Sequence, residues 1–399
     1  MLPAMAAPDL AARMSRLGTE TAFEVLARAR ALEAQGRNIV HLEIGEPDFD
    51  TPAHIVRATH EALAQGFTHY GPSPGLPALR EAIAEDFTRR RGVTVKPEQV
   101  VVYPGGKPVM FFMLLALLEE GDEAIYPNPG FPIYESMIRF SGAQAVPLPL
   151  RVERGFRADV AELESLVTPR TKLIIVNSPH NPTGAMLTGD ELAAIARLAS
   201  ARGIWVLSDE IYSRITYGAE HHTLLRWSDP ARTVVLDGFS KTYAMTGWRL
   251  GYGIMPAEFA TPMARLQTNA TSCTASMTQM AGVAALRGPQ DEIERMVAEF
   301  RRRRDVIVAG LDALDGVSCV EPQGAFYVFP DIRGTGLASK DLEHRLLADA
   351  GVACLSGTAF GAHGEGFLRF SYANSVDNIR EALRRVGAFL EKQRVAKVS

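Results

Sequence analysis

The sequence has few of the residues and patterns that mark several classes of protein. Its cysteines are Cys273, Cys319 and Cys354, which are far apart and form no CxxC pair. They indicate neither a disulfide framework nor a thiolate metal site, so we expect no metal and a reducing, cytoplasmic setting. Residues 1–8 lack the basic start and the continuous apolar core of a secretory signal.

Two further absences limit the possible partners. The formal net charge of −4 provides no basic field that would attract nucleic acid or an anionic membrane. The most apolar stretch, residues 109–118, is about half as long as a membrane span and is more typical of a buried helix. With 399 residues, 47% of them hydrophobic and 22% charged, the chain has the composition of a globular protein that is too long for one simple domain.

The middle of the chain alternates between apolar, β-branched runs and helical patterns. The runs are residues 100–103, 123–126, 172–176, 204–207 and 233–236, and helices are predicted at 107–118 and 190–202. Continuous hydrophobicity is typical of strands that are buried on both faces. The pattern therefore predicts an α/β fold with a mainly parallel sheet and helices on both of its faces.

The two ends of the chain have a different pattern. Residues 13–35 predict a helical stretch before a short strand at 39–42, and helices are predicted at 293–314 and 339–350, with short strands at 324–329 and 366–371. We predict an N-terminal arm and part of a small domain at 1–50, a large domain at 51–290 and a small C-terminal α+β domain at 291–399. The basic run 301–304 has acidic neighbours, which predicts a solvated, ion-paired helix face.

Lys241 is the most informative single residue. It follows the predicted strand 233–236 within a loop of small residues, and Arg249 lies eight positions later. A partly desolvated lysine can form a Schiff base with a carbonyl, and an arginine provides a fork for an anion. The pair suggests a phosphorylated aldehyde cofactor, whereas the alternative is an ordinary solvated lysine in a polar turn.

Other strand ends carry polar groups that suit a pyridine ring. Gly105 and Gly106 open a helix where backbone amides can hold a phosphate, although a plain turn is an alternative. Asn181 follows the strand 172–176 in a loop that prolines make rigid. Asp209 and Tyr212 follow the strand 204–207, where an aspartate can keep a ring nitrogen protonated and a phenol can hydrogen-bond a ring oxygen. The alternative is that Asp209 caps a helix in which Tyr212 packs.

The joint occurrence of these groups resembles the class I/II aminotransferases of the aspartate aminotransferase fold type. The resemblance rests on residues 45–49 (GEPDF), 181–184 (NPTG), 209–212 (DEIY) and 240–252 (SKTYAMTGWRLGY), and it covers nearly the whole chain. It implies the fold type I of pyridoxal-phosphate enzymes and a reversible, ping-pong transfer of an amino group from an L-amino acid to a 2-oxo acid.

The resemblance also implies how the cofactor is held. Lys241 would carry pyridoxal phosphate as a Schiff base and would then move the proton between the substrate and the cofactor. Asp209 would pair with the ring nitrogen, Tyr212 and Asn181 would contact the ring oxygen, and Phe131 would stack on the ring. The phosphate would be held by Gly105, Gly106 and Lys107, mainly through backbone amides, with Ser240 and Arg249, and by Tyr70 of a neighbouring subunit in a homodimer. In many relatives a serine binds the phosphate three residues before the lysine. This chain has Gly238 there, and Ser240 or backbone groups would compensate.

For the substrate, the resemblance implies that Arg369 holds the α-carboxylate in a bidentate pair and that Gly45 approaches the same group by its backbone. Lys107 is the candidate for a distal carboxylate, with phosphate neutralisation or solvent exposure as the alternative. Residues 17–23 are expected to fold over the site, where Glu20 would disfavour an acidic substrate. We expect an acidic donor with 2-oxoglutarate or oxaloacetate as acceptor; the alternatives are neutral or aromatic donors, or a lyase on the same fold.

Overall fold

The computed structural model describes residues 10–398. Within that range, twelve strands form three sheets. In chain order the strands are β1 Val40–His41, β2 Val100–Tyr103, β3 Glu123–Asn128, β4 Gln144–Pro149, β5 Thr171–Asn177, β6 Trp205–Asp209, β7 Thr233–Gly238, β8 Gly251–Ile254, β9 Tyr327–Val328, β10 Val352–Ala353, β11 Leu355–Ser356 and β12 Leu368–Ser371.

The same range contains twelve α-helices. They are α1 Thr21–Glu33, α2 Ala53–Ala64, α3 Pro77–Arg91, α4 Lys107–Leu117, α5 Ile133–Ser141, α6 Val160–Leu166, α7 Gly189–Arg202, α8 Ala257–Thr271, α9 Ser276–Arg287, α10 Asp291–Asp312, α11 Ser339–Arg345 and α12 Val376–Val398. A π-helical turn, Leu346–Ala350, continues α11.

The central sheet has seven strands in the order β2-β8-β7-β6-β5-β3-β4. Strands β3 to β7 are mutually parallel, and β8 is antiparallel to both of its neighbours. The mainly parallel sheet predicted from the sequence is confirmed. The sequence pattern did not indicate β4, an edge strand that contains two prolines, or β8, which is rich in glycine; both residue types weaken a strand signal.

Burial explains why continuous apolar runs in the sequence predict the five strands. Every residue of β2, β3 and β7 is buried, since helices cover both faces of the sheet. Helix α4 packs its Met110 and Met113 into the same apolar cluster as Leu236 of β7. Helix α7 begins at a capping box in which the side chains of Thr188 and Glu191 each accept from the other's backbone N–H.

The two ends of the chain meet in the smaller sheets. Strand β1 pairs in parallel with β10, where Val40 lies opposite Val352, and β12 lies between β11 and β9. Helices α10 and α12 pack against each other beside them. The strands of these small sheets are shorter than the sequence pattern predicts, because the pairing covers only Tyr327–Val328 and Leu368–Ser371. The domain boundaries near residues 50 and 290 stay predictions.

The N-terminal region is not the single helical stretch that we expected over residues 13–35. A short 3-10 turn, Ala12–Arg16, is separated from α1 by residues 17–20. The break is fixed by contacts with α5, because the Gly18 N–H donates to Ser136 Oγ at 2.9 Å and that hydroxyl donates to the Gly18 carbonyl at 3.3 Å.

The basic run on α10 is only partly the solvated face that its neighbours predict. Arg301 and Arg302 are exposed, but Arg303 and Arg304 are buried. Arg303 forms ion pairs with Glu299 and with Asp48, and its guanidinium lies 4.8 Å from the centre of the Phe49 ring. The prediction of solvent exposure was wrong for these two residues, because distant parts of the chain cover them, whereas the predicted ion pairing is confirmed for both.

No helix among residues 10–398 is long and apolar enough to cross a membrane. Residues 1–8, in which we found no secretory signal, lie outside the described range.

Candidate active site

A cavity of about 520 Å³ lies at the carboxyl ends of the parallel strands. Strands β2, β3, β5, β6 and β7 run in the same direction, so the loops that follow them meet at one edge of the sheet, where ligands collect in open α/β sheets. Most of the predicted site residues line this cavity: Gly45, Gly106, Lys107, Phe131, Asn181, Asp209, Tyr212, Ser240, Lys241, Arg249 and Arg369.

Lys241 lies in the loop that follows β7, with its amino group directed into the cavity. Its Nζ donates to the Gly45 carbonyl at 2.5 Å. Burial lowers the pKa of Lys241 to about 8, against the opposing fields of Glu46 and Glu20. At neutral pH a larger fraction of this amine is therefore unprotonated and nucleophilic than of an ordinary lysine.

Asp209 is a buried carboxylate at the end of β6. Its Oδ2 accepts from the Tyr134 hydroxyl at 2.6 Å, and its Oδ1 accepts from the Ile211 N–H at 3.2 Å. Burial raises the pKa of Asp209 to about 6, while these two hydrogen bonds act in the opposite direction. A cation in front of Asp209 would favour its ionised form. No pattern in the sequence marks Tyr134, which lies on α5.

The loop after β5 is held by Asn177. The Asn177 amide donates to the Asp209 carbonyl at 3.0 Å, and its Oδ1 accepts from the Asn181 N–H at 2.9 Å. This couples the positions of Asn181 and Asp209, although the two residues follow different strands. Asn177 lines the cavity too and was not among the predicted site residues.

Tyr212 forms a pair with a tyrosine that was not predicted as a site residue. The hydroxyls of Tyr212 and Tyr327 are 2.7 Å apart, and both rings are buried. A Cβ at Gly45 would collide with the Tyr327 hydroxyl, so the chain requires glycine there. The alternating pattern of residues 324–329 predicted only a strand and did not mark Tyr327.

Arg249 and Gly105 form a close pair on one side of the cavity. Arg249 has a φ of +53°, and its Nη1 donates to the Thr246 carbonyl at 2.7 Å. Gly105 has a φ of +98°, and a Cβ there would collide with the Arg249 guanidinium. Gly106 precedes α4, so backbone N–H groups at a helix start lie beside an arginine, which is an arrangement that suits an anion.

Arg369 is a buried cation on β12. Its Nη1 donates to Asn181 Oδ1 at 3.3 Å, and its Nη2 donates to the Glu43 carbonyl. The guanidinium lies 4.5 Å from the centre of the Tyr327 ring and 4.9 Å from that of Phe360. Its Nε has no hydrogen-bond partner among the described residues. A buried donor without a partner is rare and fits a site for an incoming acceptor.

Lys107 and Glu20 form an ion pair at the mouth of the cavity. Residues 20–23 line the cavity, so the N-terminal segment lies over the site as expected. The Lys107 ammonium lies 5.6 Å from the centre of the Phe131 ring. Tyr70 is not brought to this cavity; it is 88% exposed and lies outside it.

Comparison with known proteins agrees with this geometry. The family model "Aminotransferase class I and II" matches residues 37–386. A probable aspartate/prephenate aminotransferase of Aquifex aeolicus is 41% identical over 393 residues, which cover 96% of this chain and 99% of that protein.

Solved structures share the fold at a TM-score of 0.92, among them the following two. An aspartate aminotransferase from Thermus thermophilus, solved with maleate, is 40% identical and covers 96% of this chain and 100% of its own. An alanine aminotransferase from Pyrococcus furiosus is 33% identical with the same coverage.

The fold and the cavity are thus those of an α/β enzyme of fold type I. The chain belongs to the class I and II aminotransferase family. It is an aminotransferase, which moves the amino group of an amino acid to a 2-oxo acid. The family resemblance inferred from the sequence motifs is confirmed.

Proposed function

We propose that the protein is a pyridoxal-phosphate-dependent aminotransferase of the aspartate/glutamate type, with 2-oxoglutarate or oxaloacetate as acceptor. The observation that carries the proposal is the Lys241 amine, buried in one cavity with the Asp209 carboxylate and the Arg369 guanidinium. Two of the proteins compared above carry aspartate in their names. The Lys107 ammonium, at the mouth of the cavity, is the group we assign to the distal carboxylate.

The residues present fit the cofactor. Lys241 would hold it through Nζ and, once displaced, would move the proton at the substrate Cα. Asp209 would pair with a protonated ring nitrogen, which would offset the desolvation of its carboxylate. When bound, the cofactor supplies an electron sink for the charge that develops at that carbon.

The remaining cofactor contacts follow from the walls of the cavity. Asn181 and Tyr212 would bind the ring oxygen, and Phe131 offers an aromatic face to the ring. The fit for the phosphate rests on the close approach of the Arg249 guanidinium to Gly105, which a Cβ there would prevent, next to the backbone N–H groups at the start of α4. We assign the phosphate to Gly105, Gly106 and Lys107, mainly through their backbone amides, and to Ser240 and Arg249.

For the substrate, we assign the α-carboxylate to Arg369, whose Nε is buried without a partner. Gly45 would approach the same group through its backbone. A bidentate pair with a carboxylate would satisfy the guanidinium.

The specific observation that favours a second candidate is the ion pair between Lys107 and Glu20. An ammonium that already has a carboxylate partner is less available to an acidic side chain. An aminotransferase for neutral or aromatic amino acids is therefore the alternative, and an alanine aminotransferase is among the structures with the same fold.

A half-reaction screen tests the proposal. Aspartate, glutamate, alanine and phenylalanine are added separately to the cofactor-loaded protein, and the absorbance of the bound cofactor is followed. Aspartate and glutamate should convert it to the pyridoxamine form most effectively, and a 2-oxo acid should restore it. Conversion by alanine or phenylalanine alone would favour the alternative. An unchanged absorbance together with release of ammonia, CO2 or thiol would contradict transamination.

We further propose that the protein acts as a homodimer in which Tyr70 reaches the cofactor phosphate of the neighbouring subunit. The large exposed area of Tyr70 on this chain supports a partner there. In a mixture of Lys241→Ala and Tyr70→Ala proteins, one site of each mixed dimer would hold both residues. Activity above the sum of the two separate variants is expected after subunit exchange, and purely additive activity would contradict the assignment.

A further inference from the structure

Glu20 is the one carboxylate that forms a salt bridge with Lys107 among residues 10–398. The Glu20 side chain is 18% exposed and that of Lys107 is 50% exposed, so the pair lies at the solvent boundary of the cavity. Both residues line the cavity that holds Lys241 and Arg369.

The position of Glu20 is built into the fold. It precedes α1, and two residues earlier the backbone of Gly18 is held on both sides by the Ser136 hydroxyl of α5. The field of Glu20 reaches the interior of the site, where it raises the pKa of Lys241 and that of Arg369 against the larger effect of burial. The carboxylate therefore acts on the space where a substrate would lie.

Resting on the aspartate-type function proposed above, we propose that Glu20 is a specificity-determining residue that competes with the distal carboxylate of a dicarboxylic substrate for the Lys107 ammonium. The Glu20 carboxylate of the same chain is bound to the Lys107 ammonium, where the distal carboxylate of the substrate would bind. A dicarboxylic substrate must displace it, whereas a neutral substrate leaves the ion pair intact.

Displacement is energetically accessible for two reasons. A partly exposed ion pair has a modest net energy, because solvent screens the attraction and two long side chains lose freedom in forming it. Glu20 also stands at the N-terminal end of α1, a helix of 13 residues, and its side chain makes no cap hydrogen bond there. A carboxylate released from Lys107 remains close to the positive end of the helix dipole, which stabilises it.

The test compares Glu20→Gln with Glu24→Gln, which removes the same charge from an exposed position one turn further along α1. Binding of succinate, a dicarboxylate that cannot react, is measured by calorimetry on the cofactor-loaded protein. Glu20→Gln should tighten succinate binding and lower the KM for aspartate and glutamate by about two- to fivefold, with little change in the KM for alanine. Glu24→Gln should behave like the unmodified protein.

Equal succinate affinity in Glu20→Gln and the unmodified protein would overturn the proposal, as would weaker binding or an equal gain in Glu24→Gln. The gain should be smaller in a Lys107→Gln background, and a gain of the same size there would also contradict competition for Lys107. The succinate measurement does not depend on turnover. A failure of the proposed function is seen in the half-reaction screen, as conversion by alanine or phenylalanine alone or as no transamination, and is thus distinguishable from a failure of the Glu20 assignment.

Discussion

Arg369 combines full burial with incomplete hydrogen bonding. It forms no salt bridge with any described residue, and its donors reach only an amide oxygen and a backbone carbonyl. Burial lowers its pKa from the ordinary value, although an arginine remains charged. A buried charge without a carboxylate partner is costly unless a ligand supplies one.

We therefore predict that Arg369→Ala lowers kcat/KM for every amino acid by about 10²- to 10³-fold, on the order of 3 to 4 kcal/mol, because the substrate α-carboxylate would lose its partner. Steady-state kinetics on several amino acids, with the exposed Arg380→Ala as control, provide the measurement. A loss confined to aspartate and glutamate would instead mean that Arg369 binds the side chain.

At the residue scale, the sequence predicts the groups that stand beside recognisable motifs and fails for those that reach the site from elsewhere. Lys241 and Asp209 were found because each follows an apolar run that forms a buried strand. Tyr134 and Tyr327 were missed, since they meet Asp209 and Tyr212 across 75 and 115 positions of sequence. Helix and strand periodicity describe neighbours along the chain and contain no information on such contacts.

At the scale of secondary structure, His41 ties β1 to α1. Its Nδ1 lies 2.8 Å from Glu43 Oε1, and its Nε2 lies 3.1 Å from Glu33 Oε1 at the end of α1. The hydrogen bond with Glu43, supported by the one with Glu33, raises the pKa of His41 to about 9 despite partial burial. The imidazolium thus joins α1 to the segment that contains β1.

The raised pKa of His41 predicts that its contribution to the stability of the fold depends on pH. Because the pKa of His41 is higher in the folded protein than the ordinary 6.5, its contribution is complete below pH 6.5 and is lost as the pH rises through 9. His41→Gln should lower the free energy of unfolding by about 1 to 2 kcal/mol at pH 6, a value reduced for solvent screening of the partly exposed pairs. The difference should nearly vanish at pH 10.

Urea titrations at the two pH values measure this effect, with His60→Gln on α2 as an exposed control. An equal loss of stability at pH 6 and pH 10 would show that His41 contributes by packing and not by its charge.

Prediction of secondary structure from the sequence succeeds where a local pattern marks the ends of a helix. Helices α4 and α7 begin and end within one residue of the predicted bounds, because a strong apolar face or a capping box marks them. Residues 13–35 were predicted as one stretch, yet the contacts of Gly18 with Ser136 interrupt it. Local propensity does not reveal a break that is imposed by a distant helix.

At the scale of the whole molecule, the site is assembled from the beginning, the middle and the end of the chain. Glu20 and Gly45 come from the N-terminal part, Lys241 from the loop after a central strand, and Arg369 from the last strand. Composition and periodicity predict the α/β class but not this convergence. The family resemblance predicted this convergence, because the motifs of a family indicate which residues meet in its common fold.

We propose that Lys241, and not Lys107, which also lines the cavity, carries the cofactor. The most direct measurement loads the protein with pyridoxal phosphate, reduces the Schiff base with borohydride and locates the label by peptide mass mapping. We expect the label on Lys241 and no label in a folded Lys241→Ala protein. A label on Lys107 in the unmodified protein, or retained turnover in Lys241→Ala, would contradict it.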